Sequence, residues 1–441
     1  IIVGKYLGVN ALAAVGSTGS VNFMIIGFCI GVCNGFAIPV AQKFGEKNFS
    51  QLRKFAANGA WLSLGFAVVM TTVICMLCRN ILLWMNTPKD IIDFAYSYIF
   101  VIFLGIPATY LYNMVSGILR SLGDSKTPLY FLVMSSVLNV ALDLFTILVL
   151  KMGVAGAAWA TVISQAVSGI LCLLYMVKHF EILHMTKKEA LPNKDMMKVL
   201  CGFGIPMGLQ YSITAIGSII LQAAVNGLGS MSVAAMTAAS RIGMFFCCPF
   251  DALGSTMATY GGQNIGARKF HRIGEGLKAA VFMGSVYSFL ALAVLFTFGN
   301  TIALLFLDSD QVQILSQVKQ YLLITSSFFI PLVLVNVVRF LIQGMGYSKR
   351  AMFAGVCEMA ARAAVGFLLV PRFGFLAACF ASPSAWIAAD LFLIPSYLSI
   401  MRKLSRDESG AGTGAPAASN LLNPTEKQPS KRVLFFGKLH A

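Results

Sequence analysis

Long apolar runs separated by short polar segments fill the first 400 positions of the chain. A run of roughly 17 to 25 apolar residues is long enough for an α-helix to cross a bilayer. Eleven such runs stand out, near residues 15–41, 57–78, 94–118, 128–150, 154–177, 202–226, 232–260, 279–305, 320–342, 351–371 and 376–400. Their separators are short and polar, and many carry Gly, Pro or Asn. The pattern predicts an all-α membrane protein. Pro39, Pro107, Pro206, Pro249, Pro331, Pro383 and Pro395 fall inside runs, where each removes a backbone hydrogen bond and permits a bend.

Composition supports the same class. Residues are 58% hydrophobic and 11% charged, against roughly a quarter charged in soluble domains, and mean hydropathy is +0.79. From about Asp407 the character changes to Gly, Ala, Pro, Ser and Asn, which predicts a disordered tail over 404–441. Its Val433-Leu434-Phe435-Phe436 run could rest on a membrane surface but is too short to span.

The chain also contains itself twice. A shift of 221 places Leu7-Gly8 on Leu228-Gly229, Gln42 on Gln263, Gly45 on Gly266 and Phe49 on Phe270. A shift of 223 or 224 places Pro107 on Pro331, Gly123 on Gly346 and Ser125-Lys126 on Ser348-Lys349. A shift of 221 then returns, with Gly153 on Gly374 and Ala157 on Ala378. Six runs separate the two starts, so the repeats are parallel, related by an axis along the membrane normal. They predict two pseudo-symmetric six-helix lobes, residues 1–190 and 191–403. Ile1 aligns with Gln222, late in the run 202–226, so the first helix of the N-lobe is expected to be largely missing, with about 11 of 12 transmembrane helices present.

The net charge of +16 is distributed, not clustered. Lys and Arg concentrate in alternate loops: Lys43, Lys47, Arg53 and Lys54; Arg120 and Lys126; Lys178 to Lys198; Arg268 to Lys278; Lys349 and Arg350; Arg402, Lys403 and Arg406. The positive-inside rule puts these loops and the C-terminus in the cytoplasm. So dispersed a charge argues against a nucleic-acid partner.

Charged side chains at membrane depth are costly and point to function. The runs hold the acids Asp143, Asp251, Glu358 and Asp390 and the bases Arg241, Arg339 and Arg362. Asn139 and Asp143 are four apart and share a helix face. Carboxylate and amide oxygens suit Na⁺, and a desolvated carboxylate can carry H⁺; the plain alternative is a helix–helix hydrogen bond. Glu358 and Arg362, also four apart, are expected to pair, as a structural ion pair or as one that senses a charged substrate. Asp390 is assigned to packing. Gln210, four residues after Pro206, either lines the cavity or bonds a neighbouring helix. The ten cysteines lie mostly inside runs as small apolar packing residues. The four histidines lie in loops or the tail, and neither a Cys/His metal cluster nor a phosphate-binding loop occurs. Nothing points to an enzyme or a cofactor, so transport would run on an ion gradient.

These features resemble the multidrug and toxic compound extrusion (MATE) family. The carrying residues are Gln42-Lys43-Phe44-Gly45 with Gly261-Gly262-Gln263-Asn264-Ile265-Gly266-Ala267, the paired loops 117–128 and 343–349, Gly204-Ile205-Pro206, and Ala381 to Trp386 with Ala389-Asp390. The resemblance covers about residues 4–404. It implies a V-shaped twelve-helix antiporter that exports organic, often cationic, compounds in exchange for Na⁺ or H⁺. Asn139, Asp143 and Thr161 match the amino-terminal cation site of one branch, and Tyr98 resembles an aromatic near it. That site's further Asp belongs to the helix expected upstream of Ile1. Gln210 and Asn336 stand where another branch has acids, which argues against that branch.

The resulting expectation is a monomeric secondary active multidrug exporter of the inner membrane, with small cationic substrates and the lipid bilayer as its partners. Its coupling site would be Asn139, Asp143 and Thr161, and its substrate cavity Tyr98, Gln210, Glu358 and Arg362. The alternatives are a lipid-linked precursor flippase of the same superfamily, or a membrane scaffold without flux. The flippase reading expects about fourteen spans and a basic cavity; eleven runs and buried charges of both signs count against it.

Overall fold

The structure, a computed structural model, describes residues 2–85, 87–304 and 312–408. Described residues form helices and connecting turns, with no strand among them. The first half contains α1 (Ile2–Leu7), α2 (Val9–Ser17), α3 (Gly19–Gly45), α4 (Phe49–Trp84), α5 (Ile92–Leu104), α6 (Ile106–Ser121), α7 (Lys126–Leu144) and α8 (Gly153–His179). The second contains α9 (Lys194–Asn226), α10 (Ser230–Gly266), α11 (Phe270–Ala303), α12 (Val312–Ser327), α13 (Phe329–Gly344), α14 (Ser348–Ala364), α15 (Val370–Phe373), α16 (Phe375–Cys379) and α17 (Ala381–Glu408). Nine described helices are long and apolar enough to cross a membrane, or eleven when the bent pairs α5–α6 and α12–α13 each count as one span.

Local chemistry sets the helix boundaries. Asn48 starts α4 by accepting from the Gln51 N–H, and Asn193 starts α9 by accepting from the Asp195 and Met196 N–H groups. The Asp124 carboxylate takes the N–H groups of Lys126 and Thr127 at the head of α7. Pro107 and Pro331 stand just after bends of 43° and 52°, so the repeated proline bends both lobes at matching places. Each lobe also carries a π-helical turn, Phe145–Val149 after α7 and Val365–Leu369 after α14. The repeat extends to backbone strain: Lys47 and Arg268, 221 positions apart, both take φ 56° in the turn after α3 and α10.

One core runs from Ala14 to Leu200 and a second from Leu221 to Leu404. The chain passes from one to the other along α9, whose Met196 and Leu200 pack in the first core and whose Leu221 and Val225 pack in the second. A small cluster of Ile38, Phe203, Met207 and Phe340 lies between them. Outward faces are apolar: Phe245, Phe282, Phe296, Met76 and Leu391 are all strongly exposed, as a lipid solvent requires. Cys29, Cys33, Cys78, Cys172 and Cys379 are buried packing residues. α17 runs past the start of the expected tail to Glu408, with Leu404 buried. The Val433–Phe436 run lies outside the described residues.

Candidate functional site

In the first lobe, α7 and α8 frame a cleft of about 330 Å³. Polar side chains dominate its lining, among them Tyr112, Ser135, Asn139, Thr161, Gln165 and Ser168. Asn139 Nδ2 donates to Thr161 Oγ1 at 3.3 Å, and Thr161 Oγ1 donates to the Ala157 carbonyl at 3.0 Å. Thr109 donates to Gln165 Oε1 at 2.9 Å on the adjoining wall. Asp143 lies one turn beyond Asn139, two residues before the π-helical turn. Its Oδ1 is buried and has no hydrogen-bond partner. Such an oxygen calls for an explanation, and a proton or a cation would supply one. Tyr98 of α5 lies within electrostatic range of Asp143. Asn139 and Thr161 thus meet across α7 and α8, with Asp143 one turn from Asn139 along α7, and Tyr98 lies in this lobe and not in the second with the other expected cavity residues.

Gln210, Glu358 and Arg362 lie inside the second lobe. Gln343 Nε2 donates to Gln210 Oε1, tying α13 to α9. Glu358 and Arg362 do pair along α14, with 3.8 Å between Oε2 and Nη1. The tighter contact comes from another helix: Arg339 Nη2 of α13 donates to Glu358 Oε1. Helical spacing reveals only partners on the same helix, so Arg339 escaped the i,i+4 argument. All three charges are nine-tenths buried or more. They form an interlocked network, not a bare cavity wall.

Arg120, counted above among the loop cations, is instead inside α6. It donates to Ser116 Oγ at 2.8 Å and to Asn34 Oδ1 of α3 at 3.2 Å. With Asn34, Ser121, Ser255 and Thr259 it lines a small cavity between the lobes.

Below that cavity the lobes close on one another at the end carrying the basic loops. Gln42 Nε2 donates to the Gly344 carbonyl and Gln263 Nε2 to the Ser121 carbonyl, each at 2.9 Å. The helices α3 and α10 cross there at Gly45 and Gly266. A Cβ on Gly45 would stand 2.0 Å from the Gln263 carbonyl oxygen, and one on Gly266 would stand 2.0 Å from that of Gln42. Only glycine permits that approach.

The MatE family model matches residues 1–145 and 206–368. The chain belongs to the MatE family. Among its MatE relatives, the probable multidrug resistance protein YoeA of Bacillus subtilis (strain 168) is 28% identical over 316 residues, 70% of this chain and 68% of that one. The probable multidrug resistance protein YpnP of the same organism is 29% identical over 355 residues, 79% and 77% of the two chains. A solved structure described as the outward-facing conformation of a multidrug resistance MATE family transporter of the MOP superfamily superposes with a TM-score of 0.86. It is 22% identical and covers 91% of this chain and 90% of its own. The fold is thus the two-lobed all-α bundle of a multi-pass MatE membrane protein.

Proposed function

We propose that the chain is a secondary active exporter of small organic, often cationic, compounds, exchanged for Na⁺ or H⁺ as the two lobes, 1–190 and 191–403, alternate in facing the two sides of the membrane. The observation that carries this reading is the buried, unpartnered Asp143 oxygen beside the Asn139–Thr161 contact. Among the described residues no three His, Cys, Asp or Glu side chains converge on one point. A cation there would meet one carboxylate and neutral oxygens, a donor set suited to Na⁺; a proton would need Asp143 alone. Loading that site favours release of substrate outside.

The names of the relatives support the substrate class. The concentration of Lys and Arg at the closed end supports placing that end, and the C-terminus, in the cytoplasm. The conformation is then outward-facing. We assign the protein to the inner membrane, as a monomer that moves its substrate without making or breaking a bond.

The test is dye efflux from proteoliposomes containing the full chain, under an imposed Na⁺ or pH gradient. Asp143→Asn is expected to remove most of the gradient-driven component while leaving the protein folded. Undiminished efflux would refute the assignment, and the gradient that drives the wild type identifies the ion.

A further inference from the structure

The second lobe holds a charged cluster that the proposed export cycle leaves unused. Arg339 on α13, Glu358 and Arg362 on α14 and Asp390 on α17 are 5%, 2%, 7% and 7% exposed. Packing alone does not account for Asp390, whose Oδ1 is buried with no hydrogen-bond partner. Arg339 Nε and Arg362 Nη1 are likewise without hydrogen-bond partners. A structural ion pair is stable at depth when its spare donors and acceptors are satisfied. Here the Asp390 oxygen and the Arg339 Nε are idle within a single cluster, and Arg362 Nη1 has only its 3.8 Å ion pair to Glu358, which leaves the cluster a second arrangement.

The repeat places this cluster. Pro107 and Pro331 relate α6 to α13, Lys126 and Lys349 relate α7 to α14, and Ala157 and Ala378 relate α8 to the segment α16–α17. The cluster therefore occupies, in the second lobe, the counterparts of the three helices that line the Asn139–Thr161 cleft, and each lobe has its π-helical turn at the end of the corresponding helix. The lobes differ in one respect. In the first, Asp143 forms no ion pair among the described residues and Arg120 of α6 turns instead to Asn34 and the cavity between the lobes, whereas the second gathers its acids and two guanidinium groups in one cluster.

We propose that Asp390, Arg339 and Glu358 form a second coupling site, in the second lobe, which carries a proton on Asp390 and excludes metal cations. This rests on the reading of the chain as an ion-coupled exporter. With Arg339 engaged by Glu358, a bare carboxylate on Asp390 would be buried unpaired, which is strongly disfavoured; a neutral acid is not. On release, the Asp390 O–H bond breaks and the proton passes to water. The idle Nε–H of Arg339 is then the donor available to the new carboxylate. Both arginines stay charged throughout. The four side chains sum to +1 with Asp390 protonated and to zero with it ionised, so a metal ion would add its charge beside two guanidinium groups and be repelled.

The groups facing Asp390 are few. Arg339 faces it from α13 and Glu358 from α14, with Arg362 beyond Glu358. Asp251 of α10 faces Arg339. α16 carries Cys379 and α17 carries Tyr397. The charged residues of α11, namely His271, Arg272, Glu275 and Lys278, are confined to its first nine positions at the basic end.

Two measurements on the full chain test this. In proteoliposomes with a pH difference of one unit and no Na⁺ gradient, each coupled proton multiplies the steady-state dye accumulation ratio by about ten. Asp390→Asn should lower that ratio about tenfold or more; an unchanged ratio overturns the proposal. In detergent, pH-difference infrared spectra should show a protonated-carboxyl band that Asp390→Asn removes and Asp143→Asn keeps. A band undiminished by Asp390→Asn overturns it. This second measurement needs no transport, so a wild type that moves no dye would defeat the exporter reading and leave the proton site to be judged alone. If Asp390→Asn fails to fold, Asp390→Glu serves: a shifted band midpoint supports the site, and an unmoved one overturns it.

Discussion

Gln42 and Gln263 make the same contact in opposite directions across the lobe interface. Each donates from Nε2 to a backbone carbonyl of the other lobe at 2.9 Å, and the two acceptors, Gly344 and Ser121, stand at matching places in the repeat. The duplication has become a two-point latch about the pseudo-twofold axis. Such an arrangement adds two directional contacts to the apolar cluster of Ile38, Phe203, Met207 and Phe340 that lies between the lobes.

The glycines beneath the latch set how closely it can shut. Gly45→Ala or Gly266→Ala forces a methyl against a backbone oxygen of the opposite lobe. Overpacking of this kind costs about 1–3 kcal/mol, here only in the closed state. Both variants should shift the population towards opening at the basic end, read as faster labelling of a cysteine introduced at Ala41. Gly65, where an added Cβ would meet nothing within 4 Å, is the control. Gly65→Ala should leave labelling unchanged.

The latch glutamines should act as near-independent halves. Each hydrogen bond contributes about 0.5–1.5 kcal/mol to closure. Gln42→Ala and Gln263→Ala should each raise labelling of the same cysteine, and the double variant should raise it by about the product of the two. A single variant with the full effect of both would show that one bond alone holds the end closed.

Glu358 is the carboxylate between two buried arginines. Removing one member of such a cluster leaves charge uncompensated, at about 3–5 kcal/mol. Glu358→Gln should therefore lower the melting temperature in detergent far more than Asp93→Asn, whose exposed side chain pairs with the exposed Arg79 at 3.7 Å. Equal losses would mean that the buried cluster is solvated.

Glu189, outside the spans, gathers the loop before α9. It accepts from Arg53 Nε and Nη2 at 2.8 Å each, from Ser50 Oγ at 2.9 Å and from the Thr186 N–H at 3.0 Å. The Arg53 guanidinium and the Thr186 N–H hold its carboxyl well below the ordinary carboxylate range. A depressed folded value stabilises the protein above the unfolded value of 4.5, and that gain is lost as pH falls through the folded one. The melting-temperature gap between wild type and Arg53→Ala should be flat at neutral pH and shrink under acid. A gap that widened as pH fell would contradict this contact.

Much of this molecule was legible as a string of letters. Apolar run length gave eleven crossings because a bilayer fixes how many residues a helix needs, and Pro107 and Pro331 marked both bends because proline cannot donate the missing hydrogen bond. Asn139 and Asp143 could be placed on one face because helical spacing is local. Thr161 entered only through family resemblance, since nothing in the spacing shows that α8 lies against α7. Tertiary structure alone decided that Arg339, and not only Arg362, holds Glu358; that Arg120 lies inside a helix; and that Asp390 is left with an idle oxygen. Those facts depend on which helix faces which, at what rotation and depth, and the energies that choose among such packings are spread over many weak contacts that no short stretch of sequence displays.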